Sequence, residues 1–192
     1  PRTGLSMGEH QALTALEWQV SREAQDELAA ASHQHLGASY DEGWQDDLVT
    51  PFRGVERDTN LRPDSTAEKL AKLKPVFGKG EAATMTAGNS TPLTDGASVV
   101  LLASEEWAEA HDLPVLAYIT AYETAAVDYV HGGEGLLMAP AHAVPRLLAR
   151  NGLALGDFDL YEIHEAFAST VLTTLKAWED DDYCRTELGL DG

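Results

Sequence analysis

Asp159-Leu160-Tyr161-Glu162-Ile163-His164-Glu165-Ala166-Phe167-Ala168 passes from an apolar, strand-like run to a helix start within two residues. Phe158 to Ile163 reads as a strand and Ala166 to Trp178 as a helix. On that helix Phe167, Val171, Leu175 and Trp178 fall at i, i+4, i+8 and i+11, an amphipathic face. Folds that alternate strands and helices place ligands at the carboxyl ends of the strands. His164 stands at such an edge, beside a helix N-terminus whose free N–H groups favour negative charge. A histidine there can orient a water or polarise an oxygen. Taken alone, a histidine in such a place is more often structural.

The same texture extends upstream. Ala97 to Ala103 is a continuous apolar run that suits a strand buried on both faces. Ser104, with Glu105 and Glu106, opens a helix to about His111. Val115 to Tyr122 is a further strand candidate. Gly132, Gly133 and Gly135 make a flexible crossing, and Pro140 to Asn151 reads as a helix ended by Gly152. This alternation predicts an α/β fold with a layered sheet. The N-terminal side is mainly helical. Ser21 caps a helix to about Gly37, with Ala24, Leu28, Ala31 and His35 along one face. A shorter helix runs from Ser65 or Thr66 to Leu73 and is stopped before Pro75. Tyr40 to Asp64 reads as loop with one short strand near Leu48.

Composition narrows the partners. The 192 residues include one cysteine, Cys184, which rules out an internal disulfide and a Cys-based zinc site. A reducing, intracellular setting is expected. Neither a membrane-spanning run of about 20 apolar residues nor a basic-then-apolar leader is visible. The net charge of −19 argues against nucleic acid and anionic membranes. Yet residues 53–79 carry Arg53, Arg57, Arg62, Lys69, Lys72, Lys74 and Lys79 against Glu56, Asp58, Asp64 and Glu68, a local +3 in a chain that is otherwise −22. This stretch is either a solvated charged segment or an anion site for a phosphorylated ligand.

Thr86-Ala87-Gly88-Asn89-Ser90-Thr91 and Thr94-Asp95-Gly96-Ala97 precede the first apolar run. Gly88 can let backbone amides approach a ligand, Ser90 or Thr91 can offer a hydroxyl, and Asn89 and Asp95 can brace the loop. A plain turn fits the same residues. Together with Ser6-Met7-Gly8, Ser21 to Glu27, Leu70 to Pro75 and His164 to Ala168, in that order and spacing, the chain resembles the middle portion of the thiolase family, the acetyl-CoA acetyltransferases and 3-ketoacyl-CoA thiolases. The His-Glu-Ala-Phe form resembles the branch that includes β-oxidation thiolases.

The resemblance implies a partial thiolase-like layered α-β-α-β-α core. Residues 1–93 correspond to a coenzyme-A-binding loop domain, 94–113 to the end of the N-terminal half and 114–192 to the start of the C-terminal half. It implies that Arg62 approaches the nucleotide of coenzyme A, that Ala87 and Gly88 line the pantetheine tunnel, and that Thr91 contacts the same ligand. His164 is implied to hold a water that helps stabilise a thioester enolate. Acyl-CoA is the implied substrate, with no permanently bound cofactor and no metal. The implied parent is a cytoplasmic homodimer or homotetramer acting in fatty-acid metabolism. The family's nucleophilic Cys, Gly-His-Pro and Cys-x-Gly motifs are not in this sequence, and Cys184, behind three aspartates, is a poor setting for a thiolate. The chain alone is therefore expected to be inactive, with exposed apolar surface where flanking segments would complete the sheets. A noncatalytic thiolase-like protein that binds acyl-CoA or lipid is a second reading, and a truncated relic with no activity and poor folding a third.

Overall fold

The computed structural model describes residues 2–190; Pro1, Asp191 and Gly192, at the outer ends of the expected divisions 1–93 and 114–192, lie outside the described residues. Helix α1, Met7–Glu17, opens on a capping box: the Ser6 hydroxyl accepts from Glu9 N while Glu9 accepts from Ser6 N. Helix α2, Arg22–Asp41, is capped by Ser21 as expected. It does not stop at Gly37 but carries it inside the helix, where the missing side chain leaves room for Pro63: a Cβ there would lie 2.7 Å from Pro63 Cβ. Its buried residues are Gln25, Asp26, Ala30 and Gly37, not the Ala24, Leu28, Ala31 and His35 face. Polar partners elsewhere in the chain draw the helix onto its Gln25–Asp26 side.

Helix α3, Ala67–Leu70, is capped by Thr66 and gives way to turns before Pro75. Strands β1, Pro75–Phe77, and β2, Met85–Thr86, pair antiparallel and form the only sheet among the described residues. Leu48 lies in a turn; the nearby pairing is a single bridge between Phe52 and Val55. Beyond β2 come α4, Glu105–Ala110, and α5, Ala139–Asn151, which ends as expected on left-handed Gly152. A 3-10 turn at Leu155–Asp157 leads to α6, Ala168–Glu179, and α7, Asp181–Thr186.

The three expected strands, 97–103, 115–122 and 158–163, carry no ladder pairing among the described residues. Their side chains are open to solvent: Val99 is 98% exposed and Leu116 93%. An apolar run makes a buried strand only where neighbours supply hydrogen bonds on both edges and layers on both faces. On α6, Val171 and Phe167 are buried but Leu175 is exposed; Ser169, Thr173, Thr174 and Ala177 complete the inner face.

The core has two clusters. Ala15, Val20, Met85 and Phe167 form one, and Met138, Ala141 and Ala177 the other, with Trp18 packed against both. Strand β2 and the start of α6 thus meet in the first cluster, which brings the two motif-bearing segments together.

Candidate functional site

The Thr86–Thr91 loop is shaped from within by Asn89. Its Oδ1 accepts from Thr86 N at 2.7 Å, and its Nδ2 donates to Thr84 O at 3.2 Å and to Asp26 Oδ1 at 2.9 Å. Asp26, 1% exposed, also accepts from Arg22 Nε at 2.6 Å. Arg22 in turn donates to Leu70 O at 2.6 Å and Leu73 O at 3.1 Å. A buried carboxylate is tolerated where an opposite charge and further donors satisfy it, as here. The chain Arg22–Asp26–Asn89 fastens the loop to α2 and to the segment after α3, and Gln25 adds a bond to Thr84 Oγ1 at 2.9 Å.

From the other side, Ser90 and Phe167 form an isolated antiparallel bridge. Thr91 N donates to Ala166 O at 2.8 Å and Ala168 N to Asn89 O at 3.1 Å. The loop and the His164–Ala168 segment, more than 70 residues apart in sequence, therefore share one wall. They border a cleft of about 360 Å³ whose lining includes Ser32, His33, Asn60, Gly88, Thr91 and Glu165. Two hydrogen bonds cross it: Ser32 Oγ donates to Glu165 Oε2 at 2.6 Å, and Asn60 Nδ2 to Thr94 Oγ1 at 3.0 Å.

Gly88 and Thr91 lie in the cleft wall. Gly88 has a packing duty as well: a Cβ would lie 2.6 Å from Leu73 Cδ1 and 2.7 Å from Leu70 Cδ2. Ala87 is exposed beside the cleft without lining it, and His164 is exposed one residue before Glu165, which does line it. Arg62 sits outside the lining. Its guanidinium donates to Thr59 O and Leu61 O, both at 2.8 Å, and its backbone N–H to Nδ1 of His33, at 3.3 Å. The rest of the basic stretch divides: Lys69 pairs with Asp64, and Arg57 with Asp41 while lying over the Tyr40 ring.

Sequence reasoning missed Asp26, Ser32, His33 and Asn60. The i, i+4 spacing of Arg22 and Asp26 was a visible signal of a pair; the other three are united only by folding. Cys184 is buried far from this wall, its Sγ 3.5 Å from Ala177 O and from Trp178 O.

A helical N-terminal portion and a braced small-residue loop that shares one cleft wall with the His-Glu-Ala-Phe segment mark a class of α/β protein, and comparison with known proteins identifies it. The model of the thiolase N-terminal domain matches residues 2–106, and that of the thiolase C-terminal domain residues 113–185. This chain belongs to the thiolase family, and its fold class is α/β of the thiolase type.

A 3-ketoacyl-CoA thiolase of Yersinia pestis (strain Pestoides F) is 40% identical over 193 residues, covering 97% of this chain and 43% of the relative. The structure of human mitochondrial 3-ketoacyl-CoA thiolase in complex with CoA matches 94% of this chain and 45% of its own, with a TM-score of 0.82 and 32% identity. The Bacillus anthracis acetyl-CoA acetyltransferase matches 93% and 46%, with a TM-score of 0.80 and 35% identity. The chain thus spans less than half the length of these relatives.

Proposed function

We propose that this chain supplies the coenzyme-holding and enolate-stabilising part of a thiolase, an enzyme that moves acyl groups between 3-ketoacyl-CoA or acetyl-CoA and coenzyme A. The observation that carries this reading is the backbone bridge joining the Thr86–Thr91 loop to the His164–Ala168 segment on one cleft wall. Coenzyme A is the substrate in this reading and no cofactor is held permanently. Gly88 and Thr91 line the cleft for the pantetheine arm, Ala87 flanks it, and Arg62 reaches the nucleotide part of the ligand once its guanidinium turns from Thr59 O and Leu61 O, which it holds here. His164 holds a water through a ring nitrogen beside the helix start, where developing negative charge on an enolate oxygen is favoured.

In the same reading residues 1–93 act as the coenzyme-binding loop domain, with 94–113 closing one half of the core and 114–192 opening the other. The nucleophilic cysteine and its activating histidine lie in segments other than these, and the active form is a cytoplasmic homodimer or homotetramer serving fatty-acid metabolism. Support for an assembly comes from a matched neighbour described as the dimeric peroxisomal thiolase of Saccharomyces cerevisiae.

Two measurements test the proposal. Calorimetric titration of the chain with coenzyme A should show saturable binding that Arg62→Ala weakens roughly tenfold, the loss of a charge-assisted contact; no binding by the unaltered chain overturns the reading. The 192 residues alone should not consume acetoacetyl-CoA, whereas full-length protein should, with a kcat lowered by His164→Ala. Normal turnover in that variant would show the histidine to be structural.

A further inference from the structure

The backbone bonds that pin the His-Glu-Ala-Phe turn begin only at Ala166. Thr91 N holds Ala166 O and Asn89 O holds Ala168 N, while 158–163 lacks ladder pairing among the described residues. His164 itself lies between these regimes and makes no hydrogen bond among the described residues. The side chain next to it does: Glu165 Oε2 accepts from Ser32 Oγ at 2.6 Å, across the cleft from the middle of α2. Helix α2 is a rigid base for that contact, since Asp26 and Gln25 two turns earlier tie it to the Thr84–Asn89 loop, and Gln34 Nε2 donates to Ser65 O at 2.7 Å just after it.

We infer that Ser32 and Glu165 are a positioning pair: their cross-cleft hydrogen bond is the last tether before His164 and sets where its imidazole stands relative to the loop that would carry the ligand. The inference rests on the proposed thiolase reading only for the purpose of the pair; the tether itself is a property of the chain. It also separates two duties within one motif, with Glu165 acting on geometry rather than on a reacting atom. A functional site needs its reactive group held to within about half an ångström by neighbours that are themselves held.

Backbone nitrogen-15 relaxation resolved to residues 162–168 in the 192-residue chain tests the tether, since the amides of 163–165 make no hydrogen bond among the described residues whose opening exchange could report. Ser32→Ala and Glu165→Ala should each lower the order parameters at 164 and 165 from the rigid range of about 0.85 toward the flexible range below about 0.6, and leave 166–168 unchanged. The double variant should match either single one. Ser32→Thr keeps the hydroxyl and Glu165→Gln keeps an acceptor, so both should restore the rigid values. Additive effects, or unchanged order parameters in both alanine variants, would overturn the inference.

In full-length enzyme the alanine variants should lower kcat by a similar factor while the KM for coenzyme A stays within about twofold, with the same two conservative variants rescuing. A rise in KM alone would instead make Ser32 a ligand contact and sink the positioning role. Absence of thiolase activity in the unaltered full-length protein would count against the proposed function, leaving the relaxation result to decide the tether.

Discussion

Asn89 and Gly88 show how adjacent residues of one loop carry different loads. The Asn89 side chain closes the loop and reaches Asp26, whereas Gly88 is needed for what it lacks, since Leu70 and Leu73 occupy the space of a Cβ. Gly88→Ala forces these leucines or the loop to shift, and overpacking of this kind costs ~1–3 kcal/mol. Urea unfolding should show that loss, together with weaker coenzyme A binding because the same residue lines the cleft; unchanged stability would mean that the leucines yield freely. At this scale the loop was legible as a unit, because small residues and turn formers announce themselves locally. The partnership of Asn89 with Asp26 was not, being a contact across 63 positions. Nor was the turning of the Arg62 guanidinium onto its own loop carbonyls, since charge counting locates a cation but not the direction it faces.

Helix ends were readable where a single residue type satisfies a terminal group. Ser21, Thr66 and Ser104 cap as expected, and Gly152 ends α5 with a φ of 64°. Gly152→Ala places a Cβ in the left-handed region, which should cost ~1–2 kcal/mol and lower the melting temperature without changing ligand binding. Helix α1 escaped notice although Ser6 and Glu9 spell its capping box, and β1 and β2 are too short to show a period. Periodicity misjudged the faces of α2 and α6 because both are buried partly on polar side chains: Gln25 and Asp26 reach Thr84 and Asn89, whereas Thr173 and Thr174 bond back to Thr170 O in their own helix, so an apolar stripe is the wrong guide.

Packing between elements makes a further prediction. Tyr183 on α7 lies edge-on to Trp18 and bonds to Glu134 Oε2 at 3.1 Å and His142 Nε2 at 3.2 Å. Burial first, then the Glu134 charge, pushes its phenol above the ordinary tyrosine range. The folded state therefore keeps a proton that the unfolded state releases above pH 10, so stability should fall as pH rises beyond that value. Tyr183→Phe should flatten this alkaline limb in a pH series of thermal melts; an unchanged slope would assign the limb to other groups.

The whole chain combines a well-packed helical portion with three extended apolar segments that lack sheet partners among the described residues. Hydrophobic patterning finds strand candidates but cannot find their neighbours, which is why 97–103, 115–122 and 158–163 were legible as apolar runs yet form no ladder among the described residues, and why 97–103, expected to be buried on both faces, is exposed. Unpaired N–H and C=O groups beside exposed Val99, Leu101, Leu116 and Leu160 form a template for pairing with another chain. The net charge of −19 opposes such pairing by mutual repulsion. Salt weakens that repulsion, shrinking its range from ~30 Å at 0.01 M to ~8 Å at 0.15 M, while leaving apolar contact intact. Sedimentation should therefore show self-association that rises with both protein concentration and salt, accompanied by binding of an apolar dye. Leu101→Glu, which removes exposed apolar area and adds repulsion, should reduce both, with helical content unchanged because Leu101 lies outside every helix. Association that instead falls with added salt would place its origin in the basic 53–79 stretch meeting acidic surface on another copy.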